Sequence, residues 1–189
     1  MRGHTLIVLL LLGGCTHVRV PAEDAATGPL VTPAALNADH TSNQIVRGAF
    51  GAREMTVNCV LTVRGQTLTI VGLTAMGVRA FTIRYDGQTV QVENDLPVPA
   101  QLTPERLLAD VELVYWPFDA LRAAFDKVGL KLTEPFARTR RLRRGNRLIA
   151  EVHYGGDDPW RGHTWLANLE YGYTLNIEST PLPLDGSTQ

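Results

Sequence analysis

The sequence has few of the residues and motifs on which common enzyme classes depend. It contains three serines, Ser42, Ser179 and Ser187, and none lies in the Gly-x-Ser-x-Gly motif that places a serine nucleophile on a strand-to-helix turn. The glycine-rich motifs of Rossmann and P-loop proteins are absent, as are the cysteine and histidine spacings of zinc fingers and deaminases. We therefore expect a protein that is not an enzyme and needs no cofactor.

A strong charge of either sign and a long hydrophobic run are also lacking. The chain has 18 basic and 19 acidic residues, so it has no basic surplus of the kind that nucleic-acid-binding proteins use. The main apolar run, residues 6–12, is far shorter than the ~20 residues that a helix needs to cross a bilayer. Nucleic acid is therefore not an expected partner, and the apolar run is typical of a signal segment.

The apolar run ends in Leu12-Gly13-Gly14-Cys15, which is typical of a bacterial lipobox. Small residues before the cysteine let a signal peptidase bind an extended chain, and the thiol then carries a thioether-linked diacylglycerol. Two or three acyl chains, such as palmitate, hold a protein at a membrane, because each buried methylene contributes about 0.8 kcal/mol. Residues 1–14 are thus predicted to be a signal peptide, and Cys15 the lipidated residue that makes the membrane a partner.

Two further predictions follow from lipidation of Cys15. An aspartate at the next position would favour retention at the inner membrane, so Thr16 favours the outer membrane, with the domain on its periplasmic face. With Cys15 modified, Cys59 is left without a disulfide partner, and its apolar strand context favours a buried, inert thiol. Residues 15–43 are predicted to be a lipidated N-terminus and flexible tether, and residues 183–189 a disordered tail.

Residues 44–182 are predicted to form one domain that is mainly β with α. Alternating apolar residues and short turns predict strands over residues 44–50, 54–64, 66–71, 79–85 and 88–93. Asp86-Gly87 is the strongest hairpin signal among the turns. Successive hairpins with alternating apolar residues indicate an antiparallel sheet that has one apolar face.

Two helices are predicted after the first group of strands. Thr103-Pro104-Glu105 supplies an N-cap, a first-turn proline and an early acid, and apolar residues at helical spacing predict helices over residues 103–115 and 118–128. Both helices have an apolar face and should cover the concave apolar face of the sheet. The chain then returns to strands over residues 137–143, 147–154, 164–170 and 173–178.

Two polar clusters and one loop each leave two interpretations open. One cluster fits either a metal site or a solvated loop, although its spacing matches no standard ligand motif. It consists of His153, Asp157, Asp158 and His163. A run of arginines fits either a phosphate-binding patch or a charged hairpin that resists aggregation. Its members are Arg138, Arg140, Arg141, Arg143, Arg144 and Arg147. Leu73 and Met76 lie in an apolar loop over residues 72–77, which either contacts a partner or folds onto the core.

Residues 69–81, 146–154, 166–170 and 173–178 resemble strands and a protruding apolar loop of the Lol-type lipoprotein carriers, LolA and LolB. Residues 77–86 and the string Leu107-Leu-Ala-Asp-Val-Glu-Leu-Val-Tyr-Trp-Pro117 more specifically resemble uncharacterised lipoproteins that are often encoded beside aryl polyene lipid biosynthesis genes. The Lol resemblance implies an open antiparallel half-barrel with two helices over an apolar cavity that receives acyl chains. It also places Met76, or Leu73, where the outer-membrane receptor has a functional exposed leucine.

We therefore expect a non-enzymatic outer-membrane lipoprotein that binds and transfers a lipid or acylated cargo. The cargo would be a lipoprotein, a phospholipid or an aryl polyene lipid, with a periplasmic carrier protein as a further partner. Leu73 and Met76 would form a loop that touches the membrane or the cargo. The alternative is a structural or assembly lipoprotein with a closed core. The residues predicted to line the cavity are Met55, Val57, Leu61, Ile70, Phe81, Ile83, Leu108, Val111, Tyr115 and Phe125.

Overall fold

The computed structural model describes residues 18–21, 28–96 and 103–184. The predicted signal peptide, Cys15 and most of the predicted tail therefore lie outside the described residues. No helix within the described ranges is long and apolar enough to cross a membrane.

Eleven strands of the described residues form one antiparallel sheet. Their order across the sheet is β1-β6-β5-β4-β3-β2-β11-β10-β9-β8-β7, so the two described edge strands do not pair and the sheet stays open. The strands are β1 Val18–Pro21, β2 His40–Phe50, β3 Arg53–Arg64, β4 Thr67–Leu73, β5 Arg79–Tyr85, β6 Thr89–Asn94, β7 Leu130–Phe136, β8 Thr139–Arg144, β9 Arg147–Tyr154, β10 Gly162–Asn168 and β11 Tyr173–Pro181.

Local turns and one long-range pairing build this sheet. In the predicted hairpin, Gly87 takes a φ of 89°, and the Asp86 carboxylate accepts backbone N–H bonds from Gln88 at 2.9 Å and Thr89 at 2.7 Å. Strand β2 pairs with β3 on one side and with β11 on the other, which joins the two ends of the domain. The predicted antiparallel sheet is confirmed.

The described residues form two α-helices, α1 Pro104–Tyr115 and α2 Phe118–Asp126. Helix α1 begins as predicted, because the Thr103 hydroxyl accepts the backbone N–H of Arg106 at 3.4 Å. The helices cover the concave face of the sheet and share one buried core with it, which confirms the predicted fold class. The largest fully buried side chains in that core include Trp116, Tyr85, Leu61 and Leu166.

The structure differs from the sequence prediction near the N-terminus and after α2. The predicted tether, residues 15–43, is wrong in part, because Val18–Pro21 pairs with β6, Val31 is buried and β2 begins at His40. The Val31 backbone N–H donates to the buried Glu112 carboxylate at 2.8 Å, and the Trp116 indole N–H donates to the Thr32 carbonyl at 3.2 Å. Strand β7 was not predicted, since its apolar alternation is short and it contains a proline.

Candidate functional site

A cavity of about 370 Å³ lies between α1 and the concave face of the sheet. Strands β2, β3, β4, β5 and β11 form its floor, and its volume is within the range of small-molecule sites. The face that the helices cover is therefore not packed shut, as a closed-core interpretation would require. The apolar side chains that line the cavity include Val46, Phe50, Met55, Val57, Ile70, Leu73, Phe81, Leu96, Leu107, Val111, Leu175 and Ile177.

Six of the ten residues predicted to line a cavity do line it: Met55, Val57, Ile70, Phe81, Val111 and Tyr115. The other four do not, and instead lie in the buried core: Leu61, Ile83, Leu108 and Phe125. Strand alternation identified the face on which Leu61 and Ile83 lie, but it does not show which part of that face the helices fill. That any of these residues binds lipid stays a prediction.

The sequence prediction missed the wall that β2 and β11 contribute. Val46, Phe50, Leu175 and Ile177 line the cavity because β11 returns to pair with β2 at the centre of the sheet. The alternation in residues 173–178 does indicate an apolar face, so the signal was present. The pairing that places this face under α1 joins residues more than 120 positions apart and has no local signature.

Gly72 lets the Phe81 ring lie against the sheet. A Cβ atom built on Gly72 would come within 2.2 Å of the Phe81 ring, which is closer than van der Waals contact allows. The ring can therefore occupy this position only because β4 has no side chain there. The glycine thus helps to set the shape of the cavity wall.

Two polar clusters lie beside the cavity and hold α1 to the sheet. The Asp110 carboxylate accepts hydrogen bonds from the Tyr173 hydroxyl at 2.5 Å and the Asn168 amide at 3.1 Å. Burial raises the pKa of Asp110 to about 6. Five residues further along the helix, Tyr115 accepts a hydrogen bond from the Gln44 amide at 2.8 Å.

Cys59 also lines the cavity. It is buried, as the sequence predicted, and burial raises the pKa of its thiol to about 12. At neutral pH it is a neutral apolar group, so it adds to the apolar wall rather than supplying a nucleophile.

The loop between β4 and β5 is divided between the cavity and the solvent. Leu73, Thr74 and Ala75 line the cavity, whereas Met76 is 91% exposed. A turn fixes this arrangement, since the Thr74 backbone N–H donates to the Val78 carbonyl at 2.9 Å. Leu73 thus lies on the cavity wall, and the interpretation that the loop folds back onto the core is wrong for Met76.

The sequence pattern of the family described as a protein of unknown function, DUF3261, matches residues 41–181. The chain belongs to the DUF3261 family. No curated protein matches this DUF3261 chain in sequence.

Three solved structures are similar to the DUF3261 chain. A putative outer membrane lipoprotein-sorting protein domain from Vibrio parahaemolyticus has 8% identity and a TM-score of 0.46, with 80% of this chain and 87% of that chain covered. A LolA superfamily protein from Nitrosomonas europaea has 10% identity and a TM-score of 0.44, with 85% and 92% covered. A DUF1329 family protein from Desulfovibrio piger has 9% identity and a TM-score of 0.38, with 80% and 87% covered.

The arginine run of this DUF3261 chain lies on β8, β9 and their turns, where carboxylates neutralise most of it. Five of its six arginines form ion pairs, and Arg143 donates to the Asn146 carbonyl at 2.9 Å. This arrangement favours the charged-hairpin interpretation over a phosphate patch. The pairs are Arg138–Asp157, Arg140–Glu134, Arg141–Glu151, Arg144–Glu170 and Arg147–Glu170.

The polar cluster considered as a metal site has other contacts in the DUF3261 chain. His153 contacts Glu151, Asp157 pairs with Arg138, and Asp158 accepts the backbone N–H of Trp160 at 2.9 Å. Among the described residues, no group of three or more histidines, cysteines or carboxylates could hold a metal ion. The solvated-loop interpretation therefore fits the geometry better.

Proposed function

We propose that the protein binds the acyl chain of a lipid or acylated cargo in the cavity beneath α1 and passes it to or from a membrane. The observation that carries this proposal is an apolar cavity of about 370 Å³ beside the buried core of the domain. Maintaining such a space has a cost in stability, because a filled core would be more stable. An apolar ligand would compensate for that cost when it is bound.

The expected affinity suits a protein that holds a ligand and then releases it. Burial of ~10 methylenes at about 0.8 kcal/mol each would contribute ~8 kcal/mol before ordering costs. Because the ordering costs weaken binding, a Kd of roughly 1 μM is a lower limit, and such an affinity permits transfer of the ligand. Binding of this kind involves no covalent chemistry, so the protein would act as a carrier or receptor and not as an enzyme.

Exposed apolar residues lie beside the cavity and provide a surface for contact with a membrane or with cargo. Met76 is exposed on the loop whose preceding residues line the cavity, and Val78 is 57% exposed on the same loop. Leu96, which lines the cavity, is also partly exposed. Insertion of Met76 and Val78 among acyl chains would bring the cavity next to the lipid that it takes up.

Lipidation of Cys15 would keep this domain at the periplasmic face of the outer membrane. The cargo would be a lipoprotein, a phospholipid or, as the sequence resemblance suggests, an aryl polyene lipid. A periplasmic carrier protein would be the other partner in the transfer.

Transfer of a fluorescent phospholipid between vesicles tests the proposal. The full-length protein should accelerate transfer, and Met76→Glu should slow it by placing a charge on the surface that contacts the membrane. Val128→Glu is the matched control, since Val128 is an exposed apolar residue that does not line the cavity beneath α1. Neither change should alter the free energy of unfolding by more than about 0.5 kcal/mol. Absence of any acceleration by the unsubstituted protein would contradict the proposal.

A further inference from the structure

A second cavity, of about 310 Å³, adjoins the apolar one. Phe50 and Met55 line both spaces, so a ligand that extends past these two side chains would occupy both. The second space lies where the β2–β3 turn, the residues before β11 and the first turn of α1 meet. Its lining residues are Phe50, Gly51, Arg53, Glu54, Met55, Arg106, Tyr171, Gly172 and Tyr173.

The lining of this second space includes guanidinium groups, which the lining of the apolar cavity does not. Arg53 and Arg106 line it together with the Glu54 carboxylate, and Arg106 also interacts electrostatically with Asp110, which accepts a hydrogen bond from Tyr173. Arg106 lies in the first turn of α1, where the aligned backbone dipoles also favour an anion. Two guanidinium groups and a helix N-terminus are therefore the groups at this end of the apolar cavity that can interact with an anion.

The Arg106 side chain is positioned before any ligand arrives. Its guanidinium carbon lies 3.7 Å from the centroid of the Tyr171 ring, so the two groups stack. Stacking occupies a face of the guanidinium, whereas the N–H groups donate in its plane, in the fork that matches phosphate oxygens. A side chain already held in this way loses little conformational entropy on binding.

We infer that the second space binds the phosphate-bearing headgroup of a lipid whose acyl chain lies in the apolar cavity, with Arg53 and Arg106 donating to the phosphate. This inference rests on the proposed function and narrows its cargo. The diacylglycerol on a lipoprotein cysteine has a thioether link and no phosphate, so the site favours a phospholipid over a lipoprotein. The volume of about 310 Å³ also exceeds what a bare carboxylate needs.

Calorimetric titration of the full-length protein with short-chain probes tests this site. The probes are lysophosphatidylglycerol, a monoacylglycerol of the same acyl length, and inorganic phosphate. We expect the unsubstituted protein to bind the phospholipid at least about tenfold more tightly than the neutral lipid, as hydrogen bonds to a charged group imply. Arg53→Gln and Arg106→Gln should each reduce this ratio, and the double variant should bring it close to one without changing the affinity for monoacylglycerol.

Arg84→Gln is the matched control, because Arg84 is exposed on β5 and lines neither space. It should leave the ratio unchanged. Equal affinity for both lipids, or a ratio that the double variant retains, would overturn the headgroup site while leaving acyl binding intact. Failure of both lipids to bind would overturn the proposed function and this site with it. If the protein bound inorganic phosphate as tightly as the phospholipid, the site would be one for free anions, and the headgroup inference would be overturned.

Discussion

Replacement of Val111 by tryptophan should fill the cavity without weakening the fold. Val111 lies on α1 and lines the cavity of about 370 Å³, so the larger side chain has space to occupy. Filling an existing cavity is commonly neutral or stabilising, by about 0.5–2 kcal/mol. If the indole displaces about three methylenes of a bound acyl chain, binding weakens by ~2.4 kcal/mol, or roughly 50-fold in Kd.

Val114→Trp is the matched control for this experiment. Val114 lies three residues further along α1 but is completely buried in the core, where the same enlargement forces neighbouring side chains apart. Such overpacking typically costs about 1–3 kcal/mol. Urea unfolding would give the free energies, and displacement of a fluorescent fatty-acyl probe would give the affinities. Equal destabilisation by Val111→Trp and Val114→Trp, together with unchanged probe binding by Val111→Trp, would refute this prediction.

Two further predictions concern the walls of the cavity. Because the pKa of Asp110 is raised to about 6, the folded state holds a proton that the unfolded state has lost, so stability should fall as pH rises from about 4 to about 6. The ionisation of Asp110 accounts for roughly 3 kcal/mol of that fall, and Asp110→Asn should remove this contribution. Urea unfolding at several pH values measures the effect, and an unchanged dependence of the unfolding free energy on pH would refute the prediction. Gly72→Ala should cost about 1–3 kcal/mol, because its Cβ would overlap the Phe81 ring. Gly156→Ala, where a Cβ has open space, is its control in thermal unfolding, and equal midpoints would contradict the steric argument.

Local signals explain why much of the fold could be predicted from the sequence. The Asp86-Gly87 turn and the Thr103 N-cap act over a few residues, and the structure forms both as their residue types require. Hairpins of this kind determine which consecutive strands pair. The resulting alternation also identifies the face of the sheet that the helices cover.

Long-range contacts explain what could not be predicted. The pairing of β2 with β11 builds one wall of the cavity, and no local pattern specifies it. Alternation likewise does not distinguish Ile70, which lines the cavity, from Ile83, which is packed in the core. Val31 packs against α1 because the buried Glu112, whose pKa burial holds well above its usual range, accepts its backbone N–H. Such a contact has no periodicity in the sequence.

The central claim is that the cavity beneath α1 holds an acyl chain, and native mass spectrometry tests it most directly. Full-length protein released gently from its own membranes would be measured intact, and the bound molecule would then be identified after extraction. We predict one acyl lipid per protein, retained by the Val114→Trp control when that variant folds and lost from Val111→Trp. Protein that carries no lipid, or lipid that Val111→Trp retains in full, would contradict the claim.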